Sequence, residues 1–397
     1  MGGRRMKIIE TTIVLLLSSS SIGDAQLFDV TKYGAKEDGV TSIHQALMKT
    51  WELACTSTSP SKIWIPKGKY ALKEVKFSGP CKSHIELQLD GILIAPTDTG
   101  SFKTDGWISF ENIDQFTLSG SGTFDGQGMH AWKFNDCHKR LKCNVLPMNL
   151  RFDFLTNAII QGVTTLNSKN FHVNVLGCKN ITFLDFNVIT PEDSPNTDGI
   201  HIGRSDGVYI TDSNIKTGDD CISLGDGSKN VHVTGVECGP GHGISIGSLG
   251  RYGNENPVSG VWVKNCTLTN TDNGLRIKTW PSSNRGIASN MHFEGIKMVN
   301  VGNPILIDQQ YCPWNQCNTG ISSLVQISNV SFKNIWGTSS TPVAVKLACS
   351  SKLPCKNVVI GGISLSYSGS TSETLSSKCS NVVPSFSGTQ SPKVCST

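Results

Sequence analysis

From Asn170 onward the chain repeats one arrangement: a turn residue, then apolar, any, apolar, any, any, apolar. Copies open at Asn170, Asn180, Gly207, Asn230, Gly260, Asn290, Asn329 and Asn357, with Asp212 and Ser213 blurring the third. Alternation with period two predicts a short β-strand in each, entered through a residue that tolerates a left-handed backbone. A second apolar strand follows at Ile222–Leu224, Ile244–Ile246, Leu275–Ile277, Ile305–Ile307 and Ala344–Lys346, beginning 15, 14, 15, 15 and 15 residues after its turn residue. Units this small cannot bury their apolar faces alone and must stack. The expectation is an all-β fold, a single-stranded right-handed parallel β-helix, its hand following the crossover rule. A sandwich would need tight Asn-Gly or Asp-Gly hairpins, and a propeller a steady blade length, which the uneven spacing opposes.

The open ends of such a solenoid need covers. Ile43, Leu47, Trp51 and Ala54 recur at helical spacing, and Ser42 with Gln45 reads as a capping box, so a short amphipathic helix over 42–55 is expected to close the N-terminal mouth. The Ser- and Thr-rich stretch from Ser366 reads as an irregular tail fastened by Cys379 and Cys395.

Arg4, Arg5 and Lys7 precede a short apolar run at Ile13–Leu17 and small residues at Gly23 and Ala25, the layout of a secretory leader over 1–25, with one β-helix domain over 26–397. The run is too short to span a bilayer. All 14 cysteines follow that leader, and secretion makes disulfides the expectation. The pairs close in sequence are Cys137/Cys143, Cys221/Cys238, Cys312/Cys317, Cys349/Cys355 and Cys379/Cys395, with Cys178 and Cys266 left as free thiols. Glycosylation sequons begin at Asn180, Asn265 and Asn329. A net charge of +4 demands no nucleic-acid partner and tolerates an acidic substrate. A secreted, extracellular, monomeric protein without membrane or nucleic-acid partners is expected.

Chemistry concentrates two residues before the second strands. Asp198, Asp220, His242 and Asn273 hold that position, the first three 22 residues apart, so winding should stack them about one strand spacing, ~4.8 Å, from each other. Asp219 adds a third carboxylate, and Arg276 and Lys278 follow one coil on. Gly218, Gly241 and Gly243 beside these residues suggest room for a ligand. Carboxylates ~5 Å apart repel by about 3 kcal/mol at an effective dielectric of about 20. One of the three should therefore hold a proton unless the cations or a protonated His242 offset the repulsion, and split carboxylates suit acid and base work on a glycosidic bond. Turn caps or a calcium site are the bland readings of the same acids, but interleaved His, Arg and Lys make a poor calcium cage.

The segments Asn196-Thr197-Asp198, Gly218-Asp219-Asp220, Gly241-His242-Gly243 and Arg276-Ile277-Lys278, in this order, resemble the signature of the polygalacturonases, glycoside hydrolase family 28. The resemblance implies an inverting hydrolase of α-1,4-linked galacturonate in pectin, resident in the cell wall and acting without metal or organic cofactor. It implies Asp219 as general acid, Asp198 and Asp220 as the residues that activate water, and His242 as keeper of the acid's protonation. Arg276 and Lys278 would hold substrate carboxylates, Tyr311 would contact sugar and Asn196 would shape the acid's surroundings. The segments around Asn149–Asn157, Pro191–Asn196 and Tyr311–Asn318 are similar to the exo-acting plant members found in pollen. Endo action, a calcium-dependent pectate lyase and a non-catalytic pectin-binding protein stay open as alternatives.

Overall fold

The computed structural model describes residues 25–134, 146–315, 317–318, 320–369 and 374–395. The leader, as far as Asp24, and the Cys137/Cys143 pair lie outside them. The strands wind into a right-handed parallel β-helix with a 22-stranded and an 11-stranded sheet. A typical coil lays Lys179–Leu184 and Asn187–Ile189 in the larger sheet and Ile200–Gly203 in the smaller. Winding begins well before Asn170, since Asp114–Ser119 and Thr156–Gln161 already stand in register with Lys179–Leu184.

The alternation explains the register. Ile181, Val208, Val231, Val261, Met291, Val330 and Val358 pair in succession along the larger sheet. All are buried, so each rung covers the apolar face of the next. Slipping one strand by a residue would turn its core side chains outward. The turn residues Asn180, Gly207, Asn230, Gly260, Asn290, Asn329 and Asn357 take left-handed φ between 50° and 74°. Asn170 does not, and its strand, Val173–Leu176, lies in the smaller sheet against Ile200–Gly203. Period two identifies an inward face but not which side of the coil it lines. The last second strand also shifts by one, because Ile305 pairs with Val345 rather than Ala344.

The helix α1 spans His44–Thr56 and buries Leu47, Trp51 and Ala54, with Ile43 buried just before it. The capping box does not form, and the cap residue is Ile43 with no side-chain hydrogen bond. Ser42 ends the strand Asp38–Ser42 and pairs with Ala71, and its Oγ accepts the N–H groups of His44 and Lys73 at 3.4 Å instead of that of Gln45. The C-terminal stretch is not irregular: Ser376–Ser380 and Ser385–Ser391 add a last coil beneath Val343–Ala348 and Lys356–Tyr367. Its side chains are mostly exposed, so the apolar alternation that marks other coils is missing.

Disulfides join Cys221–Cys238, Cys312–Cys317, Cys349–Cys355 and Cys379–Cys395, and Cys178 and Cys266 are buried free thiols. Cys55–Cys81, a bond across 26 residues that sequence proximity did not suggest, ties α1 to the turn after Val75–Ser78. Asn180, Asn265 and Asn329 are exposed. Among the described residues no helix is long and apolar enough to cross a membrane.

Candidate active site

The smaller sheet carries the chemistry because its strands stack in strict register, Ile200 to Ile222 to Ile244 to Leu275. The turns entering these strands bring Asp198, Asp220, His242 and Asn273 into a column. Gly218 and Gly243 make the stacking possible, since a Cβ at either would fall 2.1 Å from a backbone oxygen of a neighbouring coil, Ser194 O or Asn273 O. Their space is therefore taken by protein backbone and not left for a ligand. Three residues beyond each member of this column lies a second one, His201, Ser223, Ser245 and Arg276, on the outward face of the strands.

Hydrogen bonds lace the two columns together. Ser223 Oγ donates to Asp198 Oδ2 at 2.7 Å, and Ser245 Oγ donates to Asp220 Oδ1 at 2.8 Å. Arg276 donates through Nη2 to Asp220 Oδ1 at 2.6 Å and through Nε to Ser245 Oγ at 2.9 Å. Lys278 Nζ reaches Asp220 Oδ2 at 2.6 Å. Asp219 Oδ1 accepts the Asp220 backbone N–H at 2.8 Å and lies 3.0 Å from His242 Nδ1. Asn196 Nδ2 donates to Asn170 Oδ1 of the preceding coil at 2.6 Å. The Tyr311 ring lies 5.3 Å from Lys278 Nζ and edge-on to Trp280.

These contacts divide the carboxylates. Burial alone would raise Asp220, but Lys278 and then Arg276 overrule it and hold the group far below the usual carboxylate range. Asp198 goes the other way: burial, then the charges of Asp219 and Asp220, raise it well above that range. The cations thus favour the charged form of Asp220, while burial and the neighbouring charges favour the neutral form of Asp198. Burial works against charge on His242, yet the hydrogen bond and charge of Asp219 leave its pKa raised. On its other side His242 Nε2 lies 3.5 Å from Asp272 Oδ2, an exposed acid the sequence reading passed over. Burial raises Tyr311, against the pull of Lys278 and Arg276.

All eight residues singled out in the sequence, Asn196, Asp198, Asp219, Asp220, His242, Arg276, Lys278 and Tyr311, line one groove cavity of about 440 Å³. His201, Ser223, Arg251 and Trp280 line it too and were missed, although the three-residue offset from the acid column marks two of them. Among the described residues, Asp219, Asp220 and His242 bring possible ligand atoms within 4.8 Å of one another. With both oxygens of Asp220 engaged by cations, this is not a calcium cage.

A parallel β-helix with acids of divided proton affinity beside two cations has the working parts of a glycosidase. The chain belongs to the glycosyl hydrolases family 28, whose profile matches residues 55–392. It is 57% identical over 353 residues to an exopolygalacturonase of Oenothera organensis, covering 89% of this chain and 97% of that one. A polygalacturonase of Gossypium hirsutum is 50% identical over 394 residues, 98% of this chain and 96% of that one. The solved exopolygalacturonase of Thermotoga maritima shares the fold with a TM-score of 0.73 at 19% identity, covering 91% of this chain and 92% of that one.

Proposed function

We propose that the chain hydrolyses α-1,4-galacturonosyl bonds of polygalacturonate by a single displacement, attacking from the non-reducing end and releasing galacturonate. The observation that carries this reading is the acid trio in one groove with Asp220 in contact with Arg276 and Lys278. Asp219, paired with His242, would protonate the leaving oxygen. Asp198 and Asp220 would position and activate the attacking water, with Asp198 taking its proton once ionised and Asp220, held charged by Arg276 and Lys278, orienting it. Arg276 uses Nε and Nη2 within the protein, which leaves Nη1 for a uronate carboxylate, and Lys278 has two further ammonium protons beside Tyr311. A neutral sugar would offer this pair no opposite charge. Asn196 would act through Asn170 on the floor of the same groove. The curated exopolygalacturonases among the relatives support exo attack, and the five disulfides among the described residues support secretion to the cell wall.

Carboxylates a strand spacing apart, about 4.8 Å, lie nearer the separation of retaining enzymes than the roughly 6.5–9.5 Å of inverting pairs. The inverting reading rests on the third carboxylate, which lets two acids share the water while Asp219 keeps its own task. Proton NMR of the first product decides, because inversion of an α-bond yields the β-anomer. Chromatography of the earliest products should show galacturonate alone, and a ladder of oligomers would mean endo attack. Asp219→Asn should lower turnover at least about 10²-fold with substrate binding retained, and near-normal rates would remove it as the acid.

A further inference from the structure

His201 is half-buried against Phe171, ring centroids 5.0 Å apart, with Nδ1 2.7 Å from Ser223 Oγ. Ser223 Oγ is in turn 2.7 Å from Asp198 Oδ2. The far nitrogen, Nε2, has no hydrogen bond among the described residues, and the ring lines the groove cavity. Asp198 itself is only 6% exposed. It faces Asp219 and Asp220 from the next coil and Lys278 from three coils on, and its side-chain hydrogen-bond partner among the described residues is Ser223. From this carboxyl a continuous chain of hydrogen-bonding groups runs through Ser223 to the far side of the His201 ring.

We propose that Ser223 and His201 form the path by which Asp198 exchanges its proton with the groove, which makes His201 a proton-relaying and positioning residue for the reaction. The inference rests on the reading of Asp198 as a residue that takes a proton from the attacking water. After each single displacement that proton sits on a buried carboxyl, and Asp198 must lose it before it can serve again.

The chain has two self-consistent settings. With Asp198 ionised, the Ser223 hydroxyl donates to Oδ2, the His201 Nδ1–H donates to Ser223 Oγ, and Nε2 is bare. With Asp198 protonated, its O–H donates to Ser223 Oγ, the Ser223 hydroxyl donates to Nδ1, and the hydrogen of His201 sits on Nε2. Passing from the second to the first moves the carboxyl proton to Ser223 Oγ, the hydroxyl proton to Nδ1, and the Nε2 proton to a groove water. One proton leaves, and serine and imidazole end neutral as they began. Burial, helped by Lys278 and opposed by Asp220 and Asp226, pushes the imidazole pKa down to about 4, so the ring stays neutral and works as a tautomer switch.

The test is steady-state kinetics on oligogalacturonates with His201→Gln, His201→Ala, Ser223→Ala and Asp198→Asn, each checked for a native thermal transition. Resetting Asp198 follows bond cleavage, so its failure slows kcat and leaves kcat/KM alone. His201→Gln and Ser223→Ala should lower kcat about tenfold or more with KM falling in proportion, and imidazole buffer should restore kcat to His201→Ala. Unchanged kcat in folded His201→Gln would overturn the relay. So would equal losses in kcat and kcat/KM without imidazole rescue, which mark a packing role. Asp198→Asn separates the two readings: it should depress both parameters, and if it keeps near-normal turnover the base assignment falls, and the relay with it.

Discussion

Asp220 has 1% of its surface exposed and accepts hydrogen bonds from Arg276, Lys278 and Ser245. Asp220→Asn would leave buried Lys278 and half-buried Arg276 facing one amide, and a loss of about 3–5 kcal/mol is expected by urea denaturation at neutral pH. Its depressed pKa contributes stability above the unfolded value of about 3.9, which is lost as pH falls through the folded value. Asp198 behaves oppositely. Above about pH 3.9 the unfolded chain ionises this group freely while the folded one holds its proton, so stability erodes as pH rises towards the raised pKa. Asp198→Asn should therefore raise the neutral-pH Tm, with a gain of about 1 kcal/mol, while abolishing turnover. His242 adds stability below about pH 6.5 that is lost as pH climbs through its raised pKa. Activity should rise with pH as Asp198 ionises and fall again as His242 loses its proton, and a pH profile of kcat/KM should give this bell.

At the scale of the element, the turn before each strand is the most readable feature. Asn230 sits at φ 50°, where a side chain other than Asn costs roughly 1–2 kcal/mol, and its amide donates to Asp206 of the preceding coil at 2.7 Å. Asn230→Ala should thus destabilise by about 1–2 kcal/mol, measured by urea denaturation, with kcat unaffected because the turn lies on the larger sheet. Elements were misread where local pattern and tertiary commitment diverge. Ser42 looks like a cap, but strand pairing with Ala71 claims it first. The strand after Asn170 has the right alternation and the wrong sheet. Three-residue strands such as Asn187–Ile189 and Asn214–Lys216 hold too few positions for any period to show.

For the whole molecule, stacking is both the source of the site and the source of risk, because a parallel stack ends in unpaired edges. At one end α1 is packed on the first coil and bolted by Cys55–Cys81, and at the other the last coil is polar and held by Cys379–Cys395. Truncation before Ser376 should expose Val343–Ala348 and Lys356–Tyr367 and produce association visible by light scattering, while the full chain stays disperse. A truncated protein that remained disperse would show that the final coil has no protective role.

The order of apolar and polar residues by itself determined the winding, the column of Asp198, Asp220 and His242, and the nearness of Arg276 and Lys278, because one steady offset carries register from coil to coil. Only the tertiary structure decided which acid is pushed towards its neutral form and which is held charged. That depends on burial and on cations whose side chains reach across coils: Arg276 lies 56 residues from Asp220 along the chain yet 2.6 Å away in space. The link from His201 through Ser223 to Asp198 was hidden for the same reason, since a hydrogen bond between neighbouring coils depends on where side chains meet and leaves no periodic trace in the sequence.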